Sequence, residues 1–481
     1  MAVAVEVAFV VVVAVVVLAP VDAPTVRFRL AGRFPAVVGE VLMRKPSLLI
    51  IFVTVFVDLM GFGMVLPLLP KYVKDFGAPG WLLGLIVASY SLMQFLFAPA
   101  WGRLSDRIGR RPVLLVSTAG FVVSYSLFAI GSGLRDGTMA LTVILISRIF
   151  AGVCGANLTV AQAYIADLTP PKDRSKRMGL IGMAFGLGFI FGPAMAVGAL
   201  LWMGLPGPGW LAAAVCLANW ILAAFFLGES LPPGSTPPER PPGGRFGTWG
   251  LVLRRPLIGF LVVVFFLSTF AFTCFETTLG LLVARNFGFS RTTTDGEIAI
   301  AFLFAFCGLI GAFIQGGPIG RLVRMLGEGR LIALSLILVG VSLAPLPFIS
   351  GSLGSSLSGL WNDPSVPWYR FVGELVAGGG GPWLLLLATL AVLSIGSGLT
   401  RPPLFGLISM TTPPNEQGTT LGVAQGAGAL ARIAGPIFAS ATFDWHPSFP
   451  YLLCAGMALA TGCVTALRLR ARPVPHDEPA T

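Results

Sequence analysis

Long apolar runs recur along this chain, and they restrict the folds open to it. A helix needs about 20 apolar residues to cross the hydrocarbon core of a bilayer. Each run is continuous and close to that length, which favours helices among the structures that satisfy their backbone in lipid. The sequence therefore predicts an all-α membrane protein with twelve transmembrane helices. The predicted spans are 48–70, 81–101, 112–132, 139–162, 178–202, 209–228, 257–283, 297–318, 329–350, 382–400, 418–441 and 449–467.

The composition excludes several other classes of protein. Charged residues make up 11% of the chain, whereas soluble domains carry about 25%. The net charge of +11 comes from short loops, so we expect contact with the lipid bilayer and its head groups, and no nucleic-acid partner. The six cysteines lack C-x-x-C spacing, the two histidines lie near the C-terminal end, and no phosphate-binding loop is present. These patterns predict no metal site, no catalytic residues, no cofactor and no enzymatic activity.

The segment Gly102–Arg111 is a short loop with a high density of arginine. Loops of this kind are retained on the cytoplasmic side of the membrane. Arginine-rich and arginine-poor loops alternate along the chain in the way this rule requires. We therefore expect a multi-pass protein of the cell membrane (the inner or plasma membrane) whose core N- and C-termini are both cytoplasmic.

A Pro- and Gly-rich segment at 229–256 has the composition of a cytoplasmic linker. It separates an N-terminal six-helix half at 47–228 from a C-terminal six-helix half at 257–468, and a cytoplasmic tail follows at 469–481.

The two halves share a sequence pattern. Thr169-Pro170-Pro171 and Gly192-Pro193 in the first half recur as Thr412-Pro413-Pro414 and Gly435-Pro436 in the second, at one constant spacing. Related halves place a substrate path near the bilayer midplane between them, and this path opens to alternate sides as the halves rock. The sequence therefore predicts two pseudo-symmetric halves that transport a small-molecule substrate.

Residues 1–46 precede the predicted core as an N-terminal extension. Residues 1–20 are rich in Val and Ala but contain Glu6 and lack a basic n-region, which argues against a signal peptide. Two interpretations remain open: Met43 is the native start, or the segment is a real but poorly packed extension whose residues 1–20 could form a thirteenth helix.

Ionisable residues inside predicted spans are candidates for function, because an ionised group there costs several kcal/mol unless it faces a partner or a cavity. Asp58 lies about 15 Å along the first span at 1.5 Å per residue, and Glu276 lies in the matching span of the second half. Both are candidates for proton coupling; a structural hydrogen bond and hydration at the outer interface are the respective alternatives. Arg148 and Arg432 need anionic or carbonyl partners. Arg148 is a further candidate for proton or substrate transfer, with structural pairing as the alternative, and Arg432 either lines the substrate cavity or clamps two helices.

Uncharged polar residues in the spans are weaker candidates for a substrate cavity. An ordinary hydrogen bond between helices explains any single one of them better. These residues are Gln94, Asn157, Gln162, Gln315 and Gln425.

Glycines repeat at helical spacing in the fifth predicted span, as Gly182-x-x-x-Gly186-x-Gly188-x-x-x-Gly192-Pro193. Small residues four apart allow a neighbouring helix to approach closely, and the proline bends the helix. We expect a tight seam that shapes a gate.

Together these residues resemble the major facilitator superfamily. Arg148 resembles the family's fourth-helix motif, which is linked to proton transfer. Asp58–Pro70 and Tyr164–Thr169 are similar to its tetracycline and multidrug branch of drug:proton antiporters. The fifth span resembles the antiporter motif in Gly188, Gly192 and Pro193. The loop between the second and third spans is similar to the cytoplasmic signature in Gly102, Asp106, Arg107, Gly109 and Arg110.

The resemblance implies a secondary active transporter that exports small amphipathic organic compounds or drugs and is driven by a proton gradient. It implies that Asp58 takes up and releases the coupling proton, while Arg148 and Glu276 assist.

The resemblance also implies that Asp106 stabilises a cytoplasmic gate through a helix terminus and through Arg107 or Arg110. Ser124 stands where tetracycline exporters carry an acidic residue, and the intramembrane histidine of those exporters has no counterpart here. Two alternatives remain: an importer or facilitator of a metabolite on the same fold, and a non-transporting membrane receptor.

Overall fold

The computed structural model describes residues 46–77, 80–155, 157–231, 244–288, 294–351, 373, 376 and 380–470. Within these ranges the regular elements are α-helices and short 3-10 turns, which confirms the predicted all-α fold. The first helices are α1 (Leu48–Val65), α2 (Leu69–Asp75), α3 (Gly80–Ile108), α4 (Arg110–Ser132), α5 (Gly137–Cys154), α6 (Asn157–Leu168), α7 (Pro171–Met203) and α8 (Gly207–Phe226). The later helices are α9 (Gly244–Leu253), α10 (Pro256–Phe287), α11 (Thr294–Gly316), α12 (Ile319–Leu326), α13 (Glu328–Leu343), α14 (Gly380–Met410), α15 (Gln417–Trp445) and α16 (Phe449–Arg470).

Eleven spans in the described residues are long and apolar enough to cross a membrane, and α5 and α6 together form one of them. The remaining predicted span is α15, whose glycines, Gln425 and Arg432 lower its hydropathy. It is 29 residues long, which corresponds to about 43 Å at 1.5 Å per residue. The helix order therefore agrees with the predicted twelve spans of a multi-pass membrane protein.

The described residues form two compact units, and each is treated by itself. The first contains the residues up to Pro170, Phe191–Val252 and Thr412–Gly426. The second contains Pro171–Ile190, Leu253–Thr411 and the residues from Ala427 onward. The first part of α7 thus belongs to the second unit, and the first part of α15 to the first unit.

The core of the first unit is built from α1, α4, α5 and α8 around aromatic and aliphatic side chains. Met64 and Phe128 are fully buried, and the ring of Tyr72 packs edge-on against Phe128 with 5.2 Å between centroids. Lipid is as apolar as these side chains, so helix association depends on close packing and small residues. Gly152 of α5 supplies such a contact, because a Cβ there would lie 3.0 Å from the Cα of Tyr90 in α3.

The core of the second unit is built from α10, α13, α14 and α16. Trp383, Phe275 and Tyr451 are buried in one cluster. The backbone of α13 approaches α16 at Gly340, where an added Cβ would lie 2.9 Å from the carbonyl oxygen of Ala455. As in the first unit, large side chains fill the centre and glycine permits the close helix approach.

The second part of the predicted linker forms α9, which packs on the first unit. The Trp249 ring lies 5.3 Å from that of Phe95, centroid to centroid, and 2.8 Å from the position that a Cβ on Gly426 would take. Residues 1–45 of the predicted extension and 471–481 of the predicted tail lie outside the described residues.

Candidate functional site

Asp58 lies inside α1 and is 6% exposed. Two asparagine side chains hold its carboxylate. Asn157 of α6 donates from Nδ2 to Oδ2, and Asn219 of α8 donates from Nδ2 to Oδ1 over 3.3 Å. No ion pair links Asp58 to a cationic side chain in the described part of the chain. Within the described ranges, the side-chain amides of Asn157 and Asn219 are therefore the groups that compensate its negative charge.

The two asparagines suit either protonation state of Asp58. The Oδ1 atoms of Asn157 and Asn219 are buried and have no hydrogen-bond partner among the described residues. The oxygen and nitrogen of an amide can exchange places by rotation. Ionised Asp58 accepts from the Nδ2 groups, and after rotation an Oδ1 atom can accept from protonated Asp58. The site can thus keep its hydrogen bonds when a proton binds or leaves.

Arg148 lies in α5 and is 1% exposed. Its guanidinium lies over the rings of Tyr125 and Phe128, 5.5 Å from each centroid. Its Nε and Nη2 atoms have no hydrogen-bond partner within the described ranges. Tyr125 interacts electrostatically with both Arg148 and Asp58, and its hydroxyl would lie 3.2 Å from a Cβ on Gly61. The structure therefore links Arg148 to Asp58 through an aromatic side chain and not by direct pairing.

The other polar candidates of the first unit connect helices. Gln94 donates to the carbonyl of Gly155 over 3.0 Å, at the break between α5 and α6. Gln425 donates from Nε2 to Oε1 of Gln162 over 3.0 Å. Only Asn157 among these candidates contacts the buried carboxylate of α1.

A second buried charged cluster joins α3 to the start of α15 in the first unit. Asp106 is 2% exposed. It accepts from the backbone N of Gly418 over 2.8 Å, and from the N and Oγ1 of Thr419 over 2.7 Å each. The first N–H groups of a helix lack intrahelical partners and carry the positive end of its dipole, so Asp106 caps α15 from another helix. Gly102 permits the contact, because the backbone of Gly418 occupies the place of its missing side chain.

Arg110, the first residue of α4, extends this cluster. Its Nη1 pairs with Asp106, and its Nε pairs with Oδ2 of Asp167 over 3.0 Å. Ser230 donates to the same Asp167 oxygen over 3.0 Å. Of the two arginines predicted as partners of Asp106, Arg110 is buried in this network and Arg107 is exposed at the end of α3.

Glu229 caps the start of α4. Its Oε1 accepts from the backbone N of Arg110 over 2.8 Å, and its Oε2 from that of Arg111 over 3.1 Å. Gly109 joins α3 to α4 with φ of 102°, a conformation that favours glycine. The Glu229 carboxylate also fills the space that a side chain at Gly109 would need.

The glycines of α7 fall in both units. Gly192 is buried in the first unit against α1, and an added Cβ would lie 2.7 Å from the carbonyl carbon of Gly63. Pro193 follows inside the helix. Gly188 is buried in the second unit.

The second unit holds the candidates Glu276, Gln315 and Arg432, together with Arg401 of α14. Glu276 interacts electrostatically with Arg401 and Arg432. A cavity of about 90 Å³ lies beside Arg401 and Gln315. Glu276, Arg401 and Arg432 are thus near one another, and Arg401 lies next to a void.

Sequence reasoning missed Asn219 and Arg401. Asn219 is a polar residue inside a span, so the criterion that selected Asn157 could have found it. Arg401 lies one residue beyond the predicted span 382–400, so the search for ionisable residues inside spans did not include it. The helix α14 continues to Met410, which places Arg401 well inside it.

Comparison with known proteins agrees with this architecture. The chain matches the Major Facilitator Superfamily over residues 51–369 and 369–481. The class E tetracycline resistance protein of Escherichia coli is 31% identical over 85% of this chain and 92% of its own length. Multidrug resistance protein 2 of Bacillus subtilis is 28% identical over 87% of this chain and 94% of its own length. The crystal structure of the human organic anion transporter MFSD10 (TETRAN) has a TM-score of 0.67 at 26% identity, covering 87% of this chain and 98% of that one. The chain therefore belongs to the Major Facilitator Superfamily and is a multi-pass membrane transporter, not an enzyme.

Proposed function

We propose that this transporter exports small amphipathic organic compounds across the cell membrane in exchange for protons, by alternating access. The observation that carries the proposal is the buried Asp58 carboxylate, which two asparagines hold and which has no cationic partner among the described residues. A charge buried without a counter-ion is costly, and a bound proton removes it without breaking an ion pair. Relatives named as a tetracycline resistance protein and a multidrug resistance protein are consistent with efflux.

In this proposal Asp58 carries the coupling proton, and the proton gradient is the only energy source. Arg148 acts on Asp58 through Tyr125, and Glu276 provides a second ionisable group in the other half. With both core termini in the cytoplasm, the Asp106 cap on α15 lies at the cytoplasmic end and stabilises the closed form of that gate.

The experiment is substrate-induced dissipation of a proton gradient in everted membrane vesicles that are acidic inside. Wild type is compared with Asp58→Asn, which keeps the size of the side chain and removes its ionisation. Asp444→Asn is the matched control, because Asp444 is an exposed carboxylate near the end of α15. A panel of amphipathic compounds is added from outside, and the internal pH is followed by a fluorescent dye.

We expect some compounds to dissipate the gradient in wild type and in Asp444→Asn but not in Asp58→Asn. Equal responses in all three proteins would reject proton exchange through Asp58. A labelled compound that equilibrates across the membrane without moving protons would instead support the facilitator alternative.

A further inference from the structure

We propose that the second unit contains a binding site for an anionic group of the substrate, centred on Arg401. The inference rests on the proposed function for the premise that the substrate is a small organic compound. It adds the chemical class: an organic anion whose carboxylate or sulfonate lies beside Arg401 and whose apolar body lies against aromatic rings.

The site is a cavity of about 90 Å³. A cavity of roughly 150 Å³ holds a benzene molecule, so this one fits a charged head group with a few attached atoms and not a whole drug. Its polar and aromatic lining includes Arg401, Gln315, Ser268, Thr269, Phe185 and Phe272.

The guanidinium of Arg401 is available to a ligand. It lies over the rings of Phe185 and Phe265, 5.6 Å and 5.8 Å from their centroids. In the described ranges it forms no hydrogen bond and no ion pair within 4.0 Å. A cation–π contact needs none of the five N–H donors of a guanidinium, so they remain for a ligand. A carboxylate or sulfonate can accept two of these donors at once.

The surrounding charges favour an anion. Arg401 and Arg432 contribute two positive charges, and Glu276, which interacts with both, contributes one negative charge. These three groups therefore sum to a charge of +1 when all are ionised. A bound anion neutralises this excess, whereas a bound cation would add to it in a region of low dielectric.

Two further polar atoms in the cavity lining lack partners. Gln315 Oε1 and Thr269 Oγ1 are buried without a hydrogen bond within the described residues. The hydroxyl of Thr269 can donate to an anion, and rotation of the Gln315 amide presents its NH₂ group instead of its oxygen. The Gln315 amide is positioned by Gly182, because it occupies the space where a Cβ at Gly182 would lie. An anion here would have three donor side chains.

The first test measures binding to the purified full-length protein by titration calorimetry. The probes are p-toluenesulfonate, which is a permanent anion, the neutral methyl p-tolyl sulfone, and the benzyltrimethylammonium cation. We expect wild type to bind the sulfonate at least 10-fold more tightly than the sulfone, and to bind the cation least. If the wild-type protein binds the sulfonate and the sulfone with equal affinity, the proposal is overturned without any variant.

The variants then assign the effect to Arg401. Arg401→Met should weaken sulfonate binding at least 10-fold and leave sulfone binding unchanged, and Arg401→Lys should restore part of the loss. Arg285→Met is the control, since Arg285 is exposed in the last turn of α10. The unfolding temperature shows whether Arg401→Met is folded. Unchanged sulfonate affinity in the folded variant would mean that Arg401 packs against its aromatic neighbours without binding the anion, which would overturn the proposal.

A transport arm separates this inference from the proposed function. Uptake of labelled p-toluenesulfonate into acid-inside everted vesicles is compared with that of the cation and the sulfone. Uptake of the sulfonate that depends on the pH gradient and is lost in Arg401→Met supports both the anion site and proton-coupled export. Selective sulfonate binding with no gradient-driven uptake of any compound leaves the anion site standing and rejects proton-coupled export. Gradient-driven uptake of the cation or the sulfone alone rejects the anion site and leaves export standing.

Discussion

Replacement of Asp106 by asparagine tests whether the cap on α15 holds that helix in place. Asp106 accepts hydrogen bonds from two backbone N–H groups, one hydroxyl and the Arg110 guanidinium, all at a buried position. Asp106→Asn keeps the shape of the side chain. It removes the charge, leaves one acceptor oxygen and turns an NH₂ group towards groups that are themselves donors.

The structure sets the size of the effect. Breaking a buried charge pair by removing one partner costs about 3–5 kcal/mol, and the oxygen that asparagine retains favours the lower end. Every 1.4 kcal/mol is a factor of ten in an equilibrium constant. A loss of about 3 kcal/mol therefore increases the opening of the first turn of α15 roughly 100-fold.

The assay is hydrogen–deuterium exchange of the purified transporter, read by mass spectrometry on peptides covering Thr412–Gly426. Exchange of a protected amide follows the equilibrium population of the open form. We expect the amides of Gly418 and Thr419 to exchange roughly 100-fold faster in Asp106→Asn. Peptides from α10, in the second unit, should be unchanged.

Asp136→Asn is the matched control for this prediction. Asp136 is an exposed carboxylate that caps α5 by accepting from the backbone N of Met139 over 2.8 Å, and asparagine caps a helix about as well. Unchanged exchange at Gly418 and Thr419 in Asp106→Asn would refute the capping argument. Faster exchange throughout the protein would show global destabilisation instead of a local cap.

Two further substitutions test other contacts of the first unit. Gly192→Ala places a Cβ 2.7 Å from the Gly63 backbone, so we expect a loss of about 1–3 kcal/mol, seen as a lower midpoint of thermal unfolding. Gly198→Ala, where no atom lies within 4 Å, should leave the midpoint unchanged, and equal midpoints for the two variants would contradict the packing argument. The Arg110 guanidinium pairs with both Asp106 and Asp167, and the single ammonium group of a lysine cannot reproduce this planar geometry. Transport by Arg110→Lys in the vesicle assay should therefore fall at least 10-fold at equal expression. Arg111→Lys can still donate to the Ala224 carbonyl and should retain transport, and equal losses in both would reject a special role for Arg110.

The sequence predicted the helices well because lipid leaves few alternatives for a long apolar run. It predicted helix ends less well, for physical reasons visible at α1 and α14. The predicted first span 48–70 is interrupted after Val65 by a 3-10 turn that contains Pro67. The predicted span 382–400 continues as α14 to Met410, because a helix that packs inside a protein can accommodate internal prolines.

Partners of the candidate residues were harder to predict than the residues themselves. An ionisable group such as Asp58 is conspicuous in a span because it is costly there. Its partners Asn157 and Asn219 come from α6 and α8. The residue pattern of one helix does not show which residues of another helix lie opposite it, so these partners could not be predicted. Arg148 illustrates the same limit, since the aromatic ring of Tyr125 connects it to Asp58.

The internal repeat shows what symmetry does and does not predict. Gly320 and Gly327 in the second half repeat the spacing of Gly102 and Gly109, so the position matching Asp106 is Arg324 and the position matching Arg110 is Glu328.

The charges are thus exchanged between the two positions, yet a similar contact survives in each unit. Glu328 is 2% exposed and its Oε1 accepts from Ser175 Oγ over 3.2 Å, near the start of α7, while Arg324 is exposed. Asp106 accepts from backbone N–H groups of α15, whereas Glu328 accepts from a side-chain hydroxyl on the fifth residue of α7. The second unit therefore repeats the contact between a carboxylate and a neighbouring helix, from a position one helical turn later, but not the cap. Repeat symmetry therefore predicts where such a contact forms, and only the side-chain geometry shows which residue makes it.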